Sequence, residues 1–300
     1  MDEIITQDDL QLLTQVPEDE KREFKEIIKH YRYEYIKPTD LIVEEVFNNN
    51  KFLTSLLKER KASEVIIEAR ELVWQSFLIN ESVFNTKVMK DLSRNLSTPR
   101  SIIDKLIDTH IVNKTGNDLL KGVIEVCGEY SGRVYPYIYE LSLSNTQSRR
   151  SRAGSTFENI IYKVYSLLQY PFDSQRKVGK TIFQEVSLGK LVDSILPDIE
   201  AFSKRRDKVV IGTMKTSLRE RWQEVSEEIQ RTNIPKIYLL TVDDKITLSK
   251  AKQMSNHNII VVAPIFVTQS EKLKEMRNII SFEDYLFEEI PNYLNYWNKI

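Results

Sequence analysis

The chain has 300 residues, 41% hydrophobic and 10% aromatic, enough for one large domain or two modest ones, each with its own core. With 43 Lys+Arg against 44 Asp+Glu, a general attraction to nucleic acid is excluded, so any such binding must come from local patches. A single cysteine, Cys127, excludes an intramolecular disulfide or a thiolate metal cluster built from one chain.

No apolar run approaches the ~20 residues that span a bilayer, and the acidic N-terminus is unlike a signal peptide, so the expected location is the cytoplasm. His30, His110 and His257 are far apart and lack metal-ligand spacing; each is expected to be structural. From about Glu18 to about Leu143 the apolar residues recur at helical spacing. The breaks carry helix-start chemistry, as in Pro38-Thr39-Asp40 and Ser97-Thr98-Pro99. Within this helical region Val65, Ile66, Ala69, Val73 and Phe77 fall along one stripe, leaving Arg70 and Trp74 as an i, i+4 pair on a neighbouring face. Read plainly, the pair is an arginine packed beside a half-buried tryptophan.

After Ser144 the chain turns polar and basic (SNTQSRRSRAG) and then amphipathic, with Ser155 or Thr156 as the expected N-cap of a new helix. Short β-branched runs follow, TIFQEV, KLVDSIL, KVVIGTMKTS, PKIYLLTV and NIIVVAPIFV. They alternate with helical stretches near Leu218 to Arg231 and Leu248 to Ser255. That order predicts a mixed α/β sheet. The last segment, SFEDYLFEEIPNYLNYW, reads as a closing helix interrupted at Pro291. There is no internal repeat or low-complexity linker. The expected organisation is a mainly helical region 1–144 and an α/β region 145–300, with one compact domain overall as the alternative.

Three residues of the α/β region can carry chemistry together. Asp193 ends the run KLVD, Lys215 ends VVIGTMK, and Glu228 lies along the helix that opens with TSLRERW. An acid on one strand and a lysine on the next can meet at one sheet edge, with a second acid swung back by the following helix. Hydrolysis of a phosphodiester needs an activated water, neutralisation of charge on the phosphate and help for the leaving oxygen. Two acids can hold a hard cation such as magnesium, and a lysine can stabilise the developing charge. Spacing alone favours a plainer account, in which Asp193 caps a turn and Lys215 and Glu228 are solvated.

The segment KTSLRERWQEVSEE shifts that balance. It resembles the signature of the type II restriction endonucleases that read CC/GG-containing sites, the SsoII and EcoRII group. There a catalytic lysine leads into a helix bearing an Arg-acid-Arg triplet, matched here by Lys215 followed by Arg219, Glu220 and Arg221. The upstream VDSILP matches the family's metal-binding aspartate. The resemblance implies a PD-(D/E)xK restriction-endonuclease-like fold, a mixed central sheet flanked by helices with a helical N-terminal region, whose second acid has moved to the helix as Glu228. Asp198, in LPDIE, is the alternative aspartate. Glu158 corresponds to a further active-site acid, and Gln147 falls where the family places a side chain next to a guanine, although a solvated amide accounts for it equally.

By the same resemblance Arg219, Glu220 and Arg221 read C·G pairs, an arginine fork on guanine and a carboxylate on the cytosine amine. Arg70 and Trp74 resemble the family's pocket for a flipped base, where an indole stacks without sequence preference. The implied enzyme is a homodimer that cuts double-stranded DNA with Mg2+ at an interrupted palindrome such as CCNGG, with flanking base pairs open, and leaves 5′ overhangs. Asp193 and Glu228 would hold the metal. The rivals are a repair or junction nuclease of the same fold and a non-catalytic DNA-binding regulator.

Overall fold

The computed structural model describes residues 14–186, 188, 191–218, 221–232 and 234–298; of Arg221, Glu228 and Gln230 it describes the backbone. Helices α1 (Glu18–Tyr35), α2 (Thr39–Asn49), α3 (Lys51–Lys58) and α4 (Ala62–Asn95) come first. They are followed by α5 (Ser97–His110), α6 (Gly116–Arg133) and α7 (Tyr135–Leu167). Next come β1 (Asp173–Ser174), α8 (Gln175–Val178), α9 (Lys180–Glu185), β2 (Ser194–Leu196), α10 (Ile199–Lys204) and β3 (Val210–Met214). The chain continues through α11 (Arg221–Thr232), β4 (Ile237–Leu240), α12 (Leu248–Asn256), β5 (Ile259–Ala263) and α13 (Ile265–Thr268). It closes with β6 (Ile279–Ser281), α14 (Phe282–Asp284) and α15 (Ile290–Trp297). No described helix is long and apolar enough to cross a membrane.

These elements form two compact units, one from residues 14–38 and 75–151, the other from 39–74 and 152–298. The division does not fall at 144, because residues 39–74 pack with the sheet: Ile42, Phe47, Leu53, Val65 and Ile66 share a core with Val210, Tyr238 and Val262.

The helical unit is centred on Phe24, Ile28, Phe77, Phe84, Val88 and Tyr137. Its polar centre is Glu20, which is buried. The cap position of α5, Leu96, has no side-chain acceptor. Glu20 supplies one from α1, accepting from Ser97 Oγ at 2.6 Å, Thr98 N at 2.8 Å and Tyr137 Oη at 2.6 Å. A carboxylate there also meets the positive end of the α5 dipole. Burial alone would raise its pKa, but the bonds from Ser97, Tyr137 and Thr98 outweigh burial and hold it below the usual glutamate value.

The second unit holds a six-stranded sheet in the order β1 to β6. The pairs β1–β2 and β2–β3 are antiparallel, and β3 to β6 run parallel. Both faces are covered, which explains the near-continuous apolar runs of the strands. Leu196, Val210, Met214, Tyr238, Leu240 and Val262 face α2, α3 and the parts of α4 and α7 in this unit. Their neighbours Ile195, Ile211, Ile237, Leu239 and Val261 face α11 and α12 through Val225, Ile229, Ala251 and Met254. Gly212, paired with Ser194, is the close approach in this sheet: a Cβ there would lie 2.5 Å from Ser194 Oγ.

Local expectations differ in five places. TIFQEV is helical, as α9, because a short β-branched run carries no period of its own and only Phe183 is buried. KLVDSIL is extended as a strand only over Ser194–Leu196, so Asp193 precedes a strand rather than ending one. In NIIVVAPIFV the strand stops at Ala263, and Pro264 starts α13. Ser155 and Thr156 cap nothing, since α7 runs through the polar stretch without interruption; Arg149 there is held by the buried Glu81, its Nε 3.0 Å from both carboxylate oxygens. Pro291 does not interrupt the closing helix, which passes through a π-type turn (Tyr285–Glu289) before it. The Phe287 carbonyl, which the absent Pro291 N–H cannot reach, accepts from Arg60 Nη2 at 3.4 Å.

Glu20→Gln should lower stability by about 2–3 kcal/mol in urea unfolding, since it weakens bonds to a buried charged acceptor. Because the folded pKa of Glu20 is depressed, its contribution is full above the ordinary value of about 4.3 and is lost as pH falls through the folded value. The gap between the wild type and Glu20→Gln should therefore narrow on acidification.

Candidate active site

Antiparallel pairing of β2 and β3, with Ser194 opposite Gly212, brings the residue before β2 beside the residues that end β3. Asp193 N donates to Gly212 O at 2.9 Å, extending the ladder by one step. Its carboxylate then accepts from Met214 N at 2.6 Å and Thr213 Oγ1 at 3.4 Å. Lys215 follows β3 directly, its backbone N donating to Leu240 O at 2.9 Å and its Nζ lying 3.7 Å from Asp193 Oδ2. Both side chains are about 15% exposed, so they meet at a sheltered but open edge.

Helix α7 supplies the next acid. Glu158 and Tyr162 are one turn apart on it, and Tyr162 Oη donates to Asp193 O at 2.9 Å while its ring stacks on Phe172. Burial, then the charge of Asp193, push the Glu158 pKa up to about 7, against the pull of Lys215 and Arg176. Burial likewise raises the pKa of Asp193, against Lys215 and the hydrogen bonds to its carboxylate. Two partly buried carboxylates thus share the lysine cation.

Asp198 is elsewhere employed: it caps α10, accepting from Ala201 N at 2.7 Å. The geometry therefore joins Asp193, Lys215 and Glu158. Glu228 is on α11, and Arg221 starts that helix; Arg219 and Glu220 lie outside the described residues. Arg70 and Trp74 are one turn apart on α4; the first is half-buried, with a pKa lowered by burial, and the second is 37% exposed. Gln147 is exposed in the helical unit, on a groove lined also by Lys25, Lys29, Arg32 and Tyr33. Among the histidines, His30 lies 3.5 Å from Glu34, His110 lies 3.1 Å from Glu129, and His257 is beside the Trp222 ring.

Two residues went unnoticed in the sequence. Arg176 is held by Asn159 Oδ1 at 2.6 Å and Asp40 Oδ2 at 2.8 Å, yet its side chain is 56% exposed beside Glu158. Asp243, past β4, accepts from Leu218 N at 2.8 Å and so tethers the segment leading to α11. Neither sits in a motif; an Arg or Asp in a loop gains meaning only from what the fold brings to it.

The family described as EcoRII C terminal matches residues 129–286. The type II restriction enzyme SsoII of Shigella sonnei is 31% identical over 286 residues, spanning 93% of this chain and 85% of that protein. The chain belongs to this family of type II restriction endonucleases. Metal-depleted Ecl18kI in complex with uncleaved DNA superposes with a TM-score of 0.73 at 29% identity, covering 93% of this chain and 86% of that one. The complex with uncleaved, modified DNA gives 0.72 at 28% identity over the same shares. The mixed sheet with its helical flanks is thus the PD-(D/E)xK architecture, and the enzyme is a site-specific nuclease.

Restriction endonucleases of this family work with a divalent cation, and the residues present suit one. Asp193 and Glu158 offer hard oxygen donors, and their raised pKa values mark negative charge that a cation would relieve. Among the described residues no cluster of three or more His, Cys, Asp or Glu side chains forms a complete protein cage. Open positions for substrate oxygens are what a catalytic site requires.

At pH 8 the Glu158 carboxylate is charged in the folded and unfolded chain, and the folded state carries its desolvation. Glu158→Gln should therefore raise the metal-free Tm by a few degrees. In the wild type, millimolar Ca2+ should raise the Tm, and this gain should shrink or vanish in Glu158→Gln and Asp193→Asn; differential scanning calorimetry reads both effects.

Proposed function

We propose that the chain binds double-stranded DNA as a homodimer and uses Mg2+ to cut it at an interrupted palindrome of the CCNGG type, leaving 5′ overhangs. The observation that carries this reading is Lys215 Nζ, 3.7 Å from Asp193 and beside the partly buried Glu158, at the edge of a restriction-endonuclease sheet.

Asp193 and Glu228 would hold the cation, with Glu158 as the additional acid. When bound, Mg2+ supplies charge neutralisation at the scissile phosphate and a more acidic water. Lys215 Nζ, held by the Asp193 charge at the end of β3, points a cation at the edge where a phosphate arrives and stabilises the charge that develops there. Tyr162 keeps the Asp193 backbone in place through its bond to the Asp193 carbonyl, and thereby fixes the carboxylate relative to the lysine. The chemistry proceeds by direct water attack and forms no covalent enzyme intermediate.

Arg219, Glu220 and Arg221 have the donors and acceptors for two C·G pairs per half-site, and Gln147 adds an amide for a neighbouring guanine. Trp74, partly exposed, lies one turn from Arg70 on α4, and an indole is a side chain on which an unstacked central base can stack. Two-fold symmetry in the protein meets the symmetry of a palindrome most simply.

Digestion of a plasmid of known sequence, with and without magnesium, tests the reading through the fragment ends. Discrete magnesium-dependent ends around a CC/GG core with 5′ overhangs are expected; random nicks, or intact DNA that is bound selectively, would overturn it. Lys215→Ala should lose cleavage by roughly 1000-fold or more while Ca2+-supported binding persists.

Arg176 should contact a DNA phosphate beside the site. If so, Arg176→Gln weakens binding evenly across sequences and reduces the slope of log K against log salt by about 0.9. An unchanged slope with a lower Tm would mean that Arg176 only braces Asp40 and Asn159.

A further inference from the structure

Helix α7 brings more to β2 than the acid of the site. Glu158, Tyr162 and Tyr165 stand at i, i+4 and i+7 and so share one stripe of that helix. Glu158 lies beside Asp193 and Lys215, and Tyr162 holds the Asp193 carbonyl. Tyr165 is completely buried, and its ring packs edge-on against the same Phe172 on which Tyr162 stacks, each pair with centroids 5.4 Å apart.

Tyr165 Oη lies 2.7 Å from Tyr285 Oη, a hydrogen bond between two fully buried phenols. Ser194, which follows Asp193 and opens β2, completes the group. Its hydroxyl is buried, faces Tyr165 and has no other partner among the described residues. Gly212 leaves the room for these groups: a Cβ there would lie 2.5 Å from Ser194 Oγ and 3.7 Å from Tyr285 Oη. In a core shared with Leu196, Val210 and Phe282, three hydroxyls add nothing to packing. Phenylalanine and alanine would fill nearly the same volume with no polar group to desolvate. What a buried polar network supplies in such a place is one fixed arrangement of the elements that it joins.

Tyr285 opens the π-type turn of the closing helix, a form found frequently at functional sites. The next residue of that turn takes a second bond from the end of α7. Tyr170 Oη donates to Leu286 O at 2.7 Å, while Tyr170 N donates to Tyr165 O at 2.9 Å. Residues 285 and 286 thus index the C-terminal end of α7 both along its axis and about it. A rotation of α7 that broke the bond between Tyr165 and Tyr285 would carry Glu158 away from Asp193 and Lys215.

We propose that Tyr165 and Tyr285, with Ser194, are positioning residues for cleavage. They set the rotation of α7 and the start of β2, and through these the distance between the Glu158 and Asp193 carboxylates that a divalent cation meets. The inference rests on the reading of these two acids as cation-facing groups and names what holds them in register.

Tyr165→Phe and Tyr285→Phe test it beside Glu20→Gln, which lowers stability from the helical unit without touching this network. On a duplex that the wild type cuts, each phenylalanine variant should bind in Ca2+ as the wild type does. Each should need roughly 10-fold more Mg2+ for half-maximal single-turnover cleavage, the cost of a lost outer partner of a metal site. The rise in Tm with millimolar Ca2+ should shrink in both and persist in Glu20→Gln. The double variant should be no worse than either single one, because the two hydroxyls act as one bond.

Phenylalanine variants with a lowered Tm but the wild-type Mg2+ requirement and Ca2+ gain would reduce the network to packing and overturn the proposal. A wild type that neither cleaves with Mg2+ nor gains stability from Ca2+ would instead remove the cation reading beneath it. Should both phenylalanine variants fail to fold, Ser194→Ala decides on the same two readouts: a raised Mg2+ requirement with a smaller Ca2+ gain supports the proposal, and wild-type values refute it.

Discussion

The register of two short antiparallel strands determines what the catalytic edge contains. Ser194 opposite Gly212 sets Asp193 beside Met214, and the parallel step from β3 to β4 then fixes Lys215 through the Leu240 carbonyl. A slip of one residue would turn every side chain of β2 to the other face. Gly212 helps to prevent it, because the close contact with Ser194 admits no side chain at that pairing position. The apolar alternation of Ile195 and Leu196 between two separate cores adds to the same constraint.

Within that frame the electrostatics are deliberately unbalanced. Asp193 and Glu158 are gathered in a sheltered place with Lys215 between their demands, and burial outweighs the lysine at both. A site with a complete set of internal ion pairs would be more comfortable and less useful, since nothing would remain for a metal or a phosphate to relieve. Glu20 is the contrast: a fully buried carboxylate, it is satisfied by three donors and joins α1 to α5 and α7.

The sequence makes the class of the fold legible because β-branched runs alternate with helices, and the run KTSLRERW locates the lysine through a family signature. Asp193 was distinguishable from Asp198 only by resemblance; in the fold the reason is local, since Asp198 is consumed as a helix cap. The extent of α7 was not legible, because a stretch of Ser, Gln and Arg looks like a loop until Glu81 is found beneath Arg149. The placement of residues 39–74 with the sheet was equally hidden, since a stripe of apolar residues states that a helix is covered without naming what covers it. Arg176 and Asp243 depend on contacts between distant segments and leave no spacing to read.

The tether at Asp243 has a mechanical consequence. Lys215 is fastened at its backbone to Leu240, and Leu218 is fastened to Asp243, so the intervening chain can span at most ~10 Å. Residues 219–221 follow that short span directly. Under the proposed roles, a reading segment pushed aside by a wrong base pair strains the same short span that seats the lysine. Fidelity would then be checked twice by one piece of backbone, once as lost affinity and again as a displaced cation.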